Sequence, residues 1–121
     1  MKRALAGLIM LASTATAAGA QDATETGSGA VLRGLDKLTG RATDLEVASG
    51  ASVAFGRIEI ALQECRYPEG NRAGDAFAFL TIREAGTPDA VFRGWMIASS
   101  PALNPMDHQR YDVWVLRCTT S

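Results

Sequence analysis

The sequence predicts an all-β fold, a small antiparallel sandwich or barrel of six or seven strands with one disulfide, on three observations. Short apolar segments alternate with turn-forming residues, no stretch past the N-terminus shows a convincing long helical pattern, and the chain holds two cysteines, Cys65 and Cys118. Sequential strands joined by short Gly- and Pro-containing loops are expected to pair antiparallel.

The chain opens on a leader. Lys2 and Arg3 supply a positive start, Ala4 to Leu11 an apolar run too short to span a bilayer, and Ala18-Gly19-Ala20 a small-x-small cleavage site before Gln21. Residues 1–20 therefore read as a secretory signal peptide, and with no cysteine after the cleavage site a lipid anchor has no attachment point. Residues 21–29 (QDATETGSG) hold no large apolar side chain to offset the entropy of ordering and are expected to be a disordered tail. One β domain should occupy residues 30–121, with the mature chain periplasmic or secreted.

Within that domain, Ala30 to Leu38 suits a strand, weakened as a helix by Gly34, then a turn at Thr39-Gly40 and a strand over Ala42 to Ala48. Arg57 to Gln63 alternates without a fault, placing Ile58, Ile60 and Leu62 on one face. Cys65 is out of phase with that face, so either a bulge intervenes or its sulfur leaves from the opposite side. Arg66 to Asp75 (RYPEGNRAGD) reads as a surface loop and Ala76 to Arg83 as a central strand covered on both faces. Ala85 to Asp89 has hairpin-loop composition. Val91 to Ala98 and Tyr111 to Cys118 supply two more strands, the second alternating Asp112, Trp114, Leu116 and Cys118 against Tyr111, Val113, Val115 and Arg117.

Charge and cysteine usage narrow the function classes. The precursor carries a formal charge of −1, which becomes more negative once Lys2 and Arg3 leave with the leader, and the remaining arginines are scattered singly among acids. Nucleic-acid binding has no basic footprint, and no later segment suggests direct membrane insertion. An even pair of cysteines in an oxidising compartment invites a Cys65 to Cys118 bridge. Closing a loop of about 54 residues contributes roughly 4 kcal/mol in the chain-entropy model. Two cysteines and the lone His108 provide neither metal-ligand spacing nor a CxxC redox pair, so no metal or cofactor is expected.

Several strings carry a family resemblance: Leu32 to Arg41 (LRGLDKLTGR), Phe55-Gly56, Cys65, and Phe92 to Cys118 (FRGWMIASSPALNPMDHQRYDVWVLRC). The chain resembles the domain of unknown function 2155 family, small exported proteins of proteobacteria, over nearly its whole mature length. The resemblance implies no activity, cofactor or partner for any residue. Where that family has Glu-His-Pro before the final strand, this chain has Asp107-His108-Gln109.

The connection Ser99 to Arg110 is the expected functional element, since long loops on a rigid scaffold are where sites sit. Ser99 or Ser100, His108, and Asp107 or Asp112 could fill the roles of an acyl-transfer triad, but there is no GxSxG elbow and no locatable oxyanion hole. The simpler expectation is structural. Pro101 and Pro105 stiffen the loop, a serine caps a turn, Leu103 and Met106 plug one end of the core, and Asp107 or Asp112 pairs with Arg110. Trp114 is expected to pack on the disulfide from the face it shares with Cys118, and Trp95 to pack as well, although an exposed Trp95 would be a contact residue. No residue is assigned as catalytic. The candidate binding surface is Arg93, Trp95, Asn104, His108, Tyr111 and Asp112. The expected function is a non-catalytic binding or accessory module for an envelope protein or a cell-wall component, with an unidentified envelope protein or glycan as partner, the alternative a small hydrolase using the Ser99 to Asp112 loop.

Overall fold

The computed structural model describes Gly7 and residues 23–120, so the expected leader lies, Gly7 apart, outside the described residues. Eight strands follow in order: β1 (Thr24–Thr26), β2 (Gly29–Asp36), β3 (Arg41–Ala48), β4 (Ser52–Phe55), β5 (Ile58–Pro68), β6 (Phe77–Glu84), β7 (Ala90–Ile97) and β8 (Tyr111–Thr119). They form two antiparallel sheets. In the first, β5, β6 and β7 lie side by side, with β1 and β4 both paired to β5; in the second, the order is β3-β2-β8. The all-β expectation holds, with eight strands rather than six or seven.

The two additional strands are short and gain their place by backbone pairing. β4 meets the start of β5, Phe55 opposite Ile58, and β1 meets its end, Thr24 opposite Pro68. Both thus lie on β5. Two expectations change as a result. Residues 24–29, read as a disordered tail, are ordered by β5 and by the bond from Ser28 N to the Thr119 carbonyl, and Arg66 to Pro68, read as loop, continue β5. Polar side chains do not oppose this, because the ladder uses main-chain groups and leaves the side chains solvated.

The core fills the space between the sheets. Leu32 from β2, Ile58, Ile60 and Leu62 from β5, Leu80 and Ile82 from β6, and Val113 and Val115 from β8 are almost wholly buried. These are the alternating apolar positions, and their convergence buries one face of each sheet.

Two β-bulges decide where the cysteines point. The β5–β6 register shifts between Leu62 and Glu64, and the β2–β8 register shifts at Val31/Leu32, where Leu116 is the extra residue. One added residue reverses the facing of everything after it. Cys65 and Cys118, outward by strict alternation, both turn inward and bond at 2.07 Å, joining the two sheets. Trp114 precedes its bulge and so does not share a face with Cys118. It stands opposite Arg33 on the outer side of the second sheet, which corrects the expected packing of its indole on the disulfide.

The connection from Ile97 to Tyr111 runs from one sheet to the other along the gap between β7 and β8. Met106 inserts into the core at 5% exposure, as expected, whereas Leu103 is 71% exposed and plugs nothing. Ser99 caps the start of this connection through Asp75: its N and Oγ donate to the Asp75 carboxylate at 2.9 and 2.6 Å. Leu103 N donates to the Ser100 carbonyl at 3.0 Å, closing a turn.

Candidate functional site

The six residues read as one surface fall into three places. The first is the end of the sandwich where β2, β6 and β8 meet. Tyr111, expected to be exposed, is 2% exposed there, a correction that follows from its phase with Val113 and Val115. Its ring packs edge-on against Phe55 at 5.5 Å, and its hydroxyl accepts the Arg57 N–H at 3.1 Å. Two glycines make room for this pair. A Cβ on Gly34 would lie 2.7 Å from the Phe55 ring, and one on Gly56 would collide with the Tyr111 hydroxyl. Gly56 also has φ +57°, a left-handed backbone that glycine adopts at low cost.

His108 anchors the loop to the same end. Its Nδ1 accepts the backbone N–H groups of Arg110 and Tyr111 at 3.0 and 3.1 Å, which leaves Nε2 to donate to Glu84 Oε1 at 2.5 Å. Neither serine is among its partners. Ser99 is held by Asp75 instead, so the Ser, His and Asp roles drawn from this loop are not brought together as a hydrogen-bonded triad. Arg110 pairs with Asp36 rather than with Asp107 or Asp112, through Nε to Oδ1 at 3.2 Å and Nη2 to Oδ2 at 3.0 Å. Those hydrogen bonds, against partial desolvation, hold the Asp36 carboxyl below the ordinary carboxylate range. Lys37 adds a bond from Nζ to the His108 carbonyl. Glu84, Asp36 and Gly56 had no sequence signal as partners of His108, Arg110 and Tyr111, because each contact spans distant strands.

The second place is a groove of about 360 Å³ between the loop and β8, lined by Pro101, Ala102, Pro105, Asp112, Val113 and Trp114. Asp112 is the acid here. Lined mainly by apolar groups, the groove brings no nucleophile next to a base.

The third place is the outer face of the first sheet. Counting outward from buried Phe92 and Met96, Arg93 and Trp95 project to solvent from β7, and Trp95 is 40% exposed. Phe79 of β6 stands directly opposite Trp95, with ring centroids 5.3 Å apart in an edge-to-face contact. The Arg93 guanidinium lies over Phe79 at 5.9 Å and takes part in no ion pair among the described residues. Asn104 reaches this strand from the loop, its Nδ2 donating to the Trp95 carbonyl at 2.9 Å. The expected packing of Trp95 in the core is thus replaced by packing on Phe79 outside it. Phe79 was missed; its place in an uninterrupted apolar strand gave no sign of an outer face.

Among the described residues no three His, Cys, Asp or Glu side chains gather as a metal-binding group. The fold and these three places define a disulfide-joined β-sandwich with aromatic side chains displayed outside the core. The profile of the family described as "Uncharacterized protein conserved in bacteria (DUF2155)" matches residues 30–118, and the chain belongs to that family. It is also 29% identical, over 87 residues, to an uncharacterised protein of Rickettsia prowazekii, covering 69% of this chain and 56% of that relative. The chain therefore spans little more than half the length of the curated relative it matches. No solved structure matches it.

Proposed function

We propose that this chain is an exported, non-catalytic binding or accessory module that holds an envelope protein or a cell-wall component. The observation that carries this reading is the outer face of the first sheet, where Trp95 is 40% exposed beside Phe79 and the guanidinium of Arg93 forms no ion pair among the described residues. Aromatic and arginine side chains held on a rigid sheet lose little entropy when they bind, which is why such residues dominate recognition surfaces. Export is supported by the leader-like residues 1–20 and by a disulfide of the kind that oxidising compartments favour. The hydrolase alternative gains no support from Ser99, committed to Asp75, or from His108, whose two ring nitrogens are both engaged.

A photo-reactive tryptophan analogue in place of Trp95, which keeps the indole, tests this reading in the full chain in intact cells. It is expected to crosslink a discrete envelope component, while the same residue replacing Leu38, 75% exposed in the β2–β3 turn, does not. Equal labelling from both positions, or none from position 95, would overturn it.

A further inference from the structure

The geometry points to the Phe79, Trp95 and Arg93 face as a site for an acidic glycan, a pyranose chain whose ring stacks on the aromatic pair and whose carboxylate pairs with Arg93. This inference rests on the binding-module reading and names the ligand class.

Three observations favour it. First, strand addition at the β7 edge is obstructed, since the Trp95 carbonyl is taken by Asn104 and the Ile97 carbonyl accepts from Ser100 N at 3.1 Å. A ligand must lie across the face instead. Second, the face presents an aromatic platform: Trp95 is 40% exposed and packs edge-to-face on half-buried Phe79. Sugar rings fit such a platform, because their polarised C–H groups meet the negative face of an indole while their hydroxyls stay in water.

Third, charge is complementary to an acid. Of the acids of this face, Glu64 binds Arg66 at 3.4 Å, and Glu59 lies on β5, separated from Arg93 of β7 by the width of β6. Arg93 forms no ion pair among the described residues, and a guanidinium suits a carboxylate in bidentate fashion. Directly across the ladder from Arg93 is Thr81, 2% exposed with its Oγ1 unpartnered.

The test uses oligogalacturonate and its fully methyl-esterified form at equal length, two probes with the same rings and different charge. Binding is read by NMR from amide and indole N–H signals. The acid is expected to shift the Trp95 indole and not that of Trp114, and the ester to bind about tenfold more weakly, one charge-assisted contact. Arg93→Gln should weaken the acid about tenfold and leave the ester unchanged, while Trp95→Ala abolishes both. Both side chains lie outside the core, so unchanged melting temperatures verify the fold of each variant. Equal binding of acid and ester, a shift at Trp114 alone, or no shift at all would overturn the glycan assignment. If crosslinking from position 95 persists in that event, the module reading stands without it; if crosslinking also fails, both fall.

Discussion

Cys65 and Cys118 each stand two residues beyond a bulge, at Gln63 and Leu116, and each bulge is what turns its cysteine into the core. Two matched irregularities on opposite sheets thus make the inter-sheet bridge possible. Deleting Leu116 brings Arg117 directly after Val115, the pairing each already holds with Val31 and Leu32, so Cys118 falls into phase with Val113 and Val115 and keeps its inward facing. Free-thiol titration of the denatured, purified variant is therefore expected to find no free thiol, as in the parent. Replacing both cysteines by alanine should cost about 4 kcal/mol in denaturant unfolding, the loop-closure contribution.

Gly56 and Tyr111 are coupled through space. Gly56→Ala places a methyl group against the Tyr111 hydroxyl at a left-handed backbone position, and is expected to cost about 2 to 3 kcal/mol from strain and collision together. Tyr111→Phe alone loses the bond from Arg57 N and costs about 1 kcal/mol. The double variant should be more stable than the sum of the two predicts, because the colliding oxygen is gone while the backbone strain remains. A double-mutant cycle by urea unfolding measures the difference.

Met106 and Leu103 sit three residues apart and should behave oppositely. Met106→Ala empties a buried position and is expected to destabilise by about 2 to 4 kcal/mol, whereas Leu103→Ala falls within about 0.5 kcal/mol of the parent. Thermal unfolding of the two variants checks this.

His108 holds two backbone donors with one nitrogen. His108→Ala leaves the Arg110 and Tyr111 N–H groups without that acceptor and should cost about 1 to 3 kcal/mol. An asparagine, whose side-chain oxygen can accept in place of Nδ1, is expected to recover part of the loss. Amide hydrogen exchange at Arg110 and Tyr111 reports it directly.

Asp36 contributes acid-sensitive stability. Its folded-state pKa lies below the unfolded value, so its contribution is complete above about pH 4 and is lost as pH falls through the depressed folded value. Asp36→Asn should therefore unfold more readily than the parent at neutral pH, with the gap closing in stronger acid. Urea midpoints measured from neutrality downward follow it, and added salt should narrow the gap at neutral pH because the pair is partly exposed.

The fold class was legible because alternation is a local property: Ile58, Ile60 and Leu62, and Tyr111, Val113 and Val115, declare their buried faces within a few residues of chain. The pairing of Cys65 with Cys118 needed only a count of two. Tertiary structure decided what alternation cannot carry. The bulges at Gln63 and Leu116, the addition of β1 and β4 to β5, the outward turn of Trp95, and the meetings of Tyr111 with Gly56 and His108 with Glu84 all depend on which distant backbone lies alongside. A strand's own residues determine that it has two faces; only its neighbours determine where its register breaks and which face meets water.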